Sequence, residues 1–413
     1  MKNFLVHTDE VKQEMLDSIG IASIEDLFKQ IPEQARMQEL DLEEALSEAQ
    51  TQRKVKALAK KNNTDYVSFL GAGTYNKFIP ACIAQVANRF EFLTAYTPYQ
   101  PEISQGTLQI MYEFQTMICR ITGMDISNAT MYDAATACAE SLLMAVRVSK
   151  KNKVLVSNRL NPEYIDVIKT YCWANEIELK LFDEIPNDTS DCACVLVQNP
   201  DFYGEISEIE KPDCLLVVCV DVSSLGILKP PYDADIVVGD IQTLGIPMSF
   251  GGPHAGFMAC KEKFMRQLPG RLAGRTVDAD GKPAYCLTIQ TREQHIKREK
   301  ATSNICSNQA LIGLCATLYL TVMGETGFRQ ASYLSAKMAH KLSKKLAQKG
   351  IKTLNKEFYN EFVIEVENAD EFLAKLKSNG IIGGLKLDKE KILVAATEMN
   401  SEEDIDLYIN SIL

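Results

Sequence analysis

Asp221 and Gln242 are the residues on which a chemical reading of this chain turns. Asp221 closes the apolar run Leu215-Leu-Val-Val-Cys-Val220, and Gln242 lies just past a second run, Ile236-Val-Val238. In an open sheet of parallel strands, ligands collect outside the carboxyl ends of the strands, so both residues are expected to line one cleft. A carboxylate there can pair with a cationic ring nitrogen. A carboxamide nitrogen, by contrast, is not a nucleophile and cannot condense with a carbonyl. The plainer alternative is an aspartate capping a turn and a glutamine on a surface loop.

Four further stretches carry groups that can bind or catalyse. Thr130-Met-Tyr-Asp-Ala-Ala-Thr-Ala-Cys-Ala-Glu140 leads into a helix and sets Asp133 and Thr136 near its start, where free N–H groups can hold an anion or where the two side chains simply cap. Gly71-Ala-Gly-Thr-Tyr-Asn-Lys77 has neither the third glycine of a dinucleotide loop nor Gly-Lys-Ser/Thr, so it reads as glycine-rich turns. Tyr96-Thr-Pro-Tyr-Gln-Pro-Glu-Ile-Ser-Gln-Gly106 has no hydrophobic period. A loop stiffened by Pro98 and Pro101 that displays Tyr96, Tyr99, Gln100 and Glu102 suits contact with a ligand or a partner, or a packed surface crossing. Gln290-Thr-Arg-Glu-Gln-His-Ile-Lys-Arg-Glu-Lys300, followed by Ala301-Thr-Ser-Asn304, is equally polar, and its cations fit a solvated helix face as well as a site.

The elements that must hold these residues are short β-branched runs alternating with helices. Strands are expected at 153–157, 177–181, 193–197, 215–220, 236–238 and 256–259, with helices at 134–150, after Pro162 and near 305–323. That alternation predicts an α/β protein with a large, mostly parallel sheet covered by helices over 63–323. Residues 1–62 read as a helical arm, with Thr8 and Ser23 as N-caps and Leu42, Leu46 and Ala49 at helical spacing. Residues 324–413 read as a small α/β domain with strands at 362–366 and 392–395 and a helix at 370–377.

The chain has 413 residues, 46% hydrophobic and 24% charged, an ordinary globular composition. Its 44 basic and 55 acidic side chains give a net charge of −11, which argues against general attraction to nucleic acid or anionic lipid. Met1–Glu10 has too short an apolar run for a signal peptide, and Cys214–Val220 is far below spanning length, so cytoplasmic residence is expected. Twelve cysteines without Cys-x-x-Cys are expected to be reduced and mostly buried, Cys192 and Cys194 facing one side of a strand. Four histidines without metal-ligand spacing predict no metal site.

Asp235-Ala-Asp-Ile-Val-Val-Gly-Asp-Ile-Gln-Thr-Leu-Gly-Ile-Pro-Met-Ser-Phe-Gly-Gly-Pro-His254 resembles the cofactor-lysine segment of a pyridoxal-phosphate enzyme, with Gln242 where the lysine is expected. Together with Gly71–Asn76, Thr97–Gly106, Asp240–Pro247, Gly251–Gly256, Pro269-Gly-Arg271, Gln290–His295 and Lys300–Cys306, it resembles the P-protein family of the glycine cleavage system, glycine dehydrogenase (decarboxylating), on the subunit-1 side of its two-subunit form. The resemblance implies the fold-type-I pyridoxal-phosphate transferase architecture. It also implies that a second subunit carries the cofactor lysine, so that pyridoxal phosphate is bound by that partner and Asp221 is a vestigial partner of the pyridine nitrogen. The implied activity is decarboxylation of glycine with transfer of the aminomethyl group to the lipoyl arm of H-protein, in a heterotetramer of two heterodimers. Asn161-Pro162 stands where relatives often show His-Pro, which removes a ring-stacking histidine. Tyr96, Tyr99, Gln100 and Glu102 are then the candidates for a supporting role in a cleft shared with the partner. Two alternatives stay open: a self-sufficient pyridoxal-phosphate enzyme using Lys297 or Lys300, and a non-catalytic scaffold or regulatory subunit.

Overall fold

The computed structural model describes residues 7–36, 41–305 and 309–412. The chain divides into two compact units, Met1–Thr64 and Asp65–Leu413. In the first, helices Asp9–Ile19 and Glu48–Ala59 are joined through short 3-10 turns at Ile24–Phe28 and Glu33–Ala35. Thr8 caps the first helix by accepting from Val11 N, and Asp26 accepts from Ser23 N in the first 3-10 turn. Leu42 and Leu46 do not join a helix as expected. Ser47 and Gln50 form a capping box that starts the second helix only at Glu48, which leaves both leucines in the preceding coil. None of the described residues in these helices is buried, and Met15, Ile19, Leu27, Phe28, Val55 and Leu58 are exposed. The reading of Met1–Glu10 as too short for a signal peptide falls partly on residues 1–6, outside the described residues.

The second unit is built on a seven-stranded sheet. Its order is Ile126–Ser127, Gly256–Cys260, Ile236–Asp240, Leu215–Asp221, Cys194–Gln198, Lys153–Ser157, Glu178–Phe182. The last five run parallel, while Gly256–Cys260 is antiparallel to both of its neighbours. Both faces are buried, as a parallel sheet requires. Leu216, Val218 and Val220 point into one core with Phe114 and Ile118 of helix Gln105–Thr122. Val217 and Cys219 point into the other, with Leu142 and Ala145 of helix Ala134–Ser149.

Cys194 and Cys192 pack in these two different cores, against the expectation that they share a face. The strand begins at Cys194, and Cys192 sits in a turn with its N–H bonded to Thr189 O, so strand alternation does not reach it. All eleven described cysteines are free thiols, and Cys306 lies outside the described residues.

The helix expected near 305–323 starts instead at Ala310 and runs to Gln348, with residues 306–308 outside the description. Gly324 (φ 59°, ψ −176°) breaks it without ending it. Before the break, Ala316 and Tyr319 pack on the large sheet. After it, Met338, Leu342 and Leu346 pack on a four-stranded antiparallel sheet ordered Lys352–Thr353, Glu361–Glu365, Lys391–Ala395, Leu385–Lys386. By length and composition this is the one helix among the described residues apolar enough to cross a membrane. It is a core helix here, since it spans two hydrophobic cores and turns the hydroxyls of Thr317 and Ser332 to its own carbonyls.

Candidate functional site

Asp221 and Asp240 end adjacent parallel strands in direct register, so the strand-end cleft begins with two carboxylates side by side. Asp221 is tied down by Ser223, whose N–H and hydroxyl both donate to it, and it caps the 3-10 turn Val222–Gly226. Burial pushes its carboxyl above the ordinary value, while the Lys77 ammonium and the Ser223 bonds pull the other way. Asp240 accepts from Gln242 N (2.7 Å) and lies 3.4 Å from His254 Nδ1, an arrangement that raises the His254 pKa.

Gln242 is 1% exposed. Its Oε1 accepts from Tyr75 N (3.0 Å), and its Nε2 donates to Tyr75 O (3.0 Å) and Ile246 O (2.8 Å). The carboxamide therefore imitates one rung of a β-ladder and clamps the loop around Tyr75 over the strand ends. What remains beneath is a cavity of about 40 Å³ lined by Gly73, Tyr75, Tyr164, Asp221, Gln242 and their neighbours, with no lysine among them. Such a space holds about one water, whose share of liquid volume is ~30 Å³. Ligand pockets start near ~300 Å³. The cavity in this structure is therefore far smaller than a pocket for a cofactor-sized ligand.

Asp133 and Thr136 cap each other: Asp133 Oδ1 accepts from Thr136 N (2.7 Å), and Thr136 Oγ1 accepts from Asp133 N (3.2 Å). Their polar groups are spent on starting the helix. Asn161 caps the helix Pro162–Ala174, and a side chain added at Gly73 would sit 3.2 Å from its Nδ2. Asn161 thus packs close against the loop at Gly73.

The loop 71–78 is held from the C-terminal sheet by groups that the sequence reading missed. Buried Glu361 accepts from Ala72 N (2.6 Å) and from Tyr75 Oη (2.8 Å). Gly71 is required there, since a Cβ would come within 2.3 Å of Glu361 Oε1. Lys77, 6% exposed, donates to Ser335 Oγ (2.8 Å), lies 3.4 Å from Glu398 and stands over the Tyr359 ring. Burial alone would lower its pKa, but Tyr359, Glu398 and Asp221 hold it above the ordinary lysine value. It is a charged structural residue and not a poised amine.

Desolvation raises Glu361 to about 7, against the bonds from Ala72 and Tyr75 that favour its ionised form. A carboxyl raised in the native state binds its proton more tightly folded than unfolded. Its contribution to stability is complete below about 4.5 and is lost as the pH rises through about 7. The loss is on the order of 3 kcal/mol. Urea midpoints of the wild type and Glu361→Gln measured from pH 5 to 8 are expected to converge at the acid end and separate toward pH 8 in favour of the variant. Parallel curves would refute the assignment.

Of the loop residues singled out for contact, Tyr96 is 82% exposed, and Tyr99, Gln100 and Glu102 are also at the surface. None of them lines the small cavity. Tyr99 is the one drawn into a cluster: its hydroxyl accepts from Arg271 Nη2 (3.3 Å) and its ring lies 5.3 Å from that of His295. Glu293 adds a carboxylate 3.9 Å from Arg271 Nε. Gln105 fastens the loop's end to Tyr285 in both directions, on the hairpin Leu272–Val277/Pro283–Thr288. The polar string 290–300 splits in role: Arg292 is buried and donates to the carbonyls of Leu268 and Gly270, whereas Lys297 and Lys300 are exposed. Beyond Gln242, Ser249 and Phe250 both take positive φ (47° and 56°), and Phe250 stands 93% exposed.

A largely parallel seven-stranded sheet with its cleft at the strand ends and a small C-terminal sheet is the fold-type-I architecture of pyridoxal-phosphate enzymes. A NifS-like protein superposes with a TM-score of 0.60 at 12% identity over 84% of this chain and 98% of its own, a likeness of fold alone. Residues 2–412 match the family model of the glycine cleavage system P-protein, and the chain belongs to that family.

A probable glycine dehydrogenase (decarboxylating) subunit 1 of Geobacillus thermodenitrificans (strain NG80-2) is 44% identical over 100% of this chain and 99% of the relative. One of Listeria monocytogenes serotype 4a (strain HCC23) is 45% identical over 99% and 98%. A crystal structure of glycine decarboxylase (P-protein) of the glycine cleavage system, in inhibitor-bound form, superposes with a TM-score of 0.92 at 40% identity, over 100% of this chain and 99% of that one.

Proposed function

We propose that this chain is the non-anchoring subunit of a two-subunit glycine decarboxylase, inactive alone and completing a catalytic cleft on a partner that binds pyridoxal phosphate. The observation that carries this reading is Gln242: a carboxamide locked to Tyr75 and Ile246, over a cavity of about 40 Å³, where a cofactor lysine would stand. With the partner, and with pyridoxal phosphate held there to supply the electron sink, the complex releases CO2 from glycine and passes the aminomethyl group to the lipoyl arm of H-protein. The relatives named subunit 1 support a second subunit, and we take the assembly to be a pair of heterodimers in the cytoplasm. The exposed apolar residues of the first 64 positions support burial against that partner, at ~25 cal/mol per Å² of apolar area covered. We keep 1–62 as its arm, 63–323 as its large domain and 324–413 as its small domain.

In this reading the chain's own residues position and shield. Tyr99, braced by Arg271 and His295, and the neighbouring Tyr96, Gln100 and Glu102 face the shared cleft, where they orient substrate and exclude water. Lys297 and Lys300 as cofactor anchors are disfavoured by their exposure on short turns away from the strand ends.

The test is to purify the chain alone and with its partner and to record cofactor absorbance and glycine–bicarbonate exchange of each. Exchange by the mixture alone is expected, with borohydride-fixed cofactor mapped to a partner lysine. Label on this chain would overturn the reading. In the assembled complex, Tyr99→Phe and Glu102→Gln are each expected to slow exchange and lipoyl transfer roughly tenfold to a hundredfold. Glu102 is at the surface, so Glu102→Gln should leave the unfolding midpoint unmoved, whereas Tyr99→Phe also removes the bond that Arg271 donates to its hydroxyl. Unchanged rates in both variants would favour a pure scaffold.

A further inference from the structure

Beneath the segment 299–305, between helices Ala134–Ser149 and Pro162–Ala174, lies a cavity of about 560 Å³ that shares no lining residue with the strand-end cavity. Glu140 and Arg147 line it from one helix. Seven residues apart, they lie on the same helical face, separated along the axis by about 10.5 Å. Each feels the other's charge without forming an ion pair, and desolvation raises the Glu140 pKa and lowers that of Arg147. Glu140 is 4% exposed; its Oε1 accepts from Ser303 Oγ (2.7 Å), and its Oε2 has no hydrogen-bond partner among the described residues. Arg147 Nη2 donates to Gln267 O (3.2 Å), and its Nε has no partner among the described residues. Buried charged groups left this way are costly unless something polar meets them.

We propose that this cavity binds the zwitterion of an α-amino acid with a bulky apolar side chain, its carboxylate toward Arg147 and its ammonium toward Glu140. A carboxylate and a guanidinium too far apart to pair are complementary to a ligand that carries the opposite charges on one small frame. Leu143, Val146 and Ile177, with the rings of Tyr132 and Tyr171, give part of the remaining wall an apolar face for the side chain, the rest being polar and including Glu299. The volume lies within the ~300–1,000 Å³ of small-molecule pockets and far exceeds what glycine fills. The segment Ala301–Asn304, which the proposed function leaves without a role, becomes one wall of this site. The inference does not depend on where the cofactor of the complex resides.

Calorimetric titration of the full chain, alone and assembled with its partner, tests it with phenylalanine and leucine as probes. Phenethylamine and 3-phenylpropionate, each lacking one of the two charges, serve as controls on the same wild-type protein. The zwitterions are expected to bind in both states, and each control to bind at least about thirtyfold more weakly. Arg147→Met and Glu140→Gln should weaken phenylalanine by a similar factor, and Leu143→Trp should weaken it by narrowing the space between the two charged groups. Absence of binding at millimolar phenylalanine, equal binding of a control lacking one charge, or binding unchanged in the variants would overturn the proposal. So would binding that disappears on assembly, which would assign the cavity to the subunit interface.

Discussion

Gln242→Leu is expected to lower the stability of the isolated chain by about 4 kcal/mol. Leucine keeps the apolar bulk but orphans Tyr75 N, Tyr75 O and Ile246 O, which the carboxamide satisfies in the wild type. Each buried group left unpaired costs about 1–3 kcal/mol, part of which the added apolar contact returns. Equilibrium urea denaturation measures the effect, and a loss below about 1 kcal/mol would show that Gln242 merely fills space. Gln242→Lys separates stability from chemistry. It restores the amine at the position the resemblance identifies, yet Tyr75, Tyr164 and the Gly73 loop still leave only about 40 Å³ beside it. The lysine variant is expected to remain colourless after incubation with pyridoxal phosphate. A stoichiometric visible absorbance would mean that the loop opens and the cleft is latent.

This outcome was half legible in the sequence. Asp221 and Gln242 could be placed because strand ends and turns are local signals, and both strands lie where the β-branched runs put them. The absence of a nucleophilic amine follows from the letter Gln alone. The closure of the cavity does not, because it depends on Tyr75 and Asn161 arriving from other parts of the chain. Glu361 meets Ala72 across 289 positions and Glu398 meets Phe78 across 320, distances over which periodicity carries no information. Errors in the local reading have equally specific causes. Leu42 and Leu46 kept helical spacing ahead of a cap that started the helix later, and Cys192 fell one turn short of its strand. The hairpin 272–288 escaped notice because its outer half is exposed and does not alternate.

The exposed loop carrying Tyr96, Tyr99, Gln100 and Glu102 shows the same division between local and distant information. Pro98 and Pro101 announced a stiff segment, and the structure begins a 3-10 turn at Pro101. Nothing in the segment announced Arg271, which reaches Tyr99 from 172 positions away. The residue types therefore pointed to a contact surface, whereas the tertiary structure supplies the brace that makes one tyrosine of it rigid.

Lys77→Met is expected to cost roughly 3–5 kcal/mol, the range for removing one member of a buried ion pair. Glu398, with a side chain 5% exposed, would be left beside Ser335 without the ammonium that balances it. Asp221 would lose the cation that most strongly opposes its burial, so its carboxyl should rise further. The double variant Lys77→Met/Glu398→Gln should recover much of the loss. Glutamine can still accept from Phe78 N, as Glu398 does at 2.8 Å, and the Glu398 carboxylate is then no longer left without its cation. A double-mutant cycle in urea reads the coupling directly, and additivity within about 0.5 kcal/mol would show that the two residues act independently. Because Lys77 ties the loop 71–78 to Ser335 of the long helix and to Glu398, and Glu361 ties it to the C-terminal sheet, the single variant should also make backbone amides of that loop exchange hydrogen faster than those of the strand Leu215–Asp221. Faster exchange confined to the loop would identify the buried charges as the fastening that holds the loop closed over Gln242.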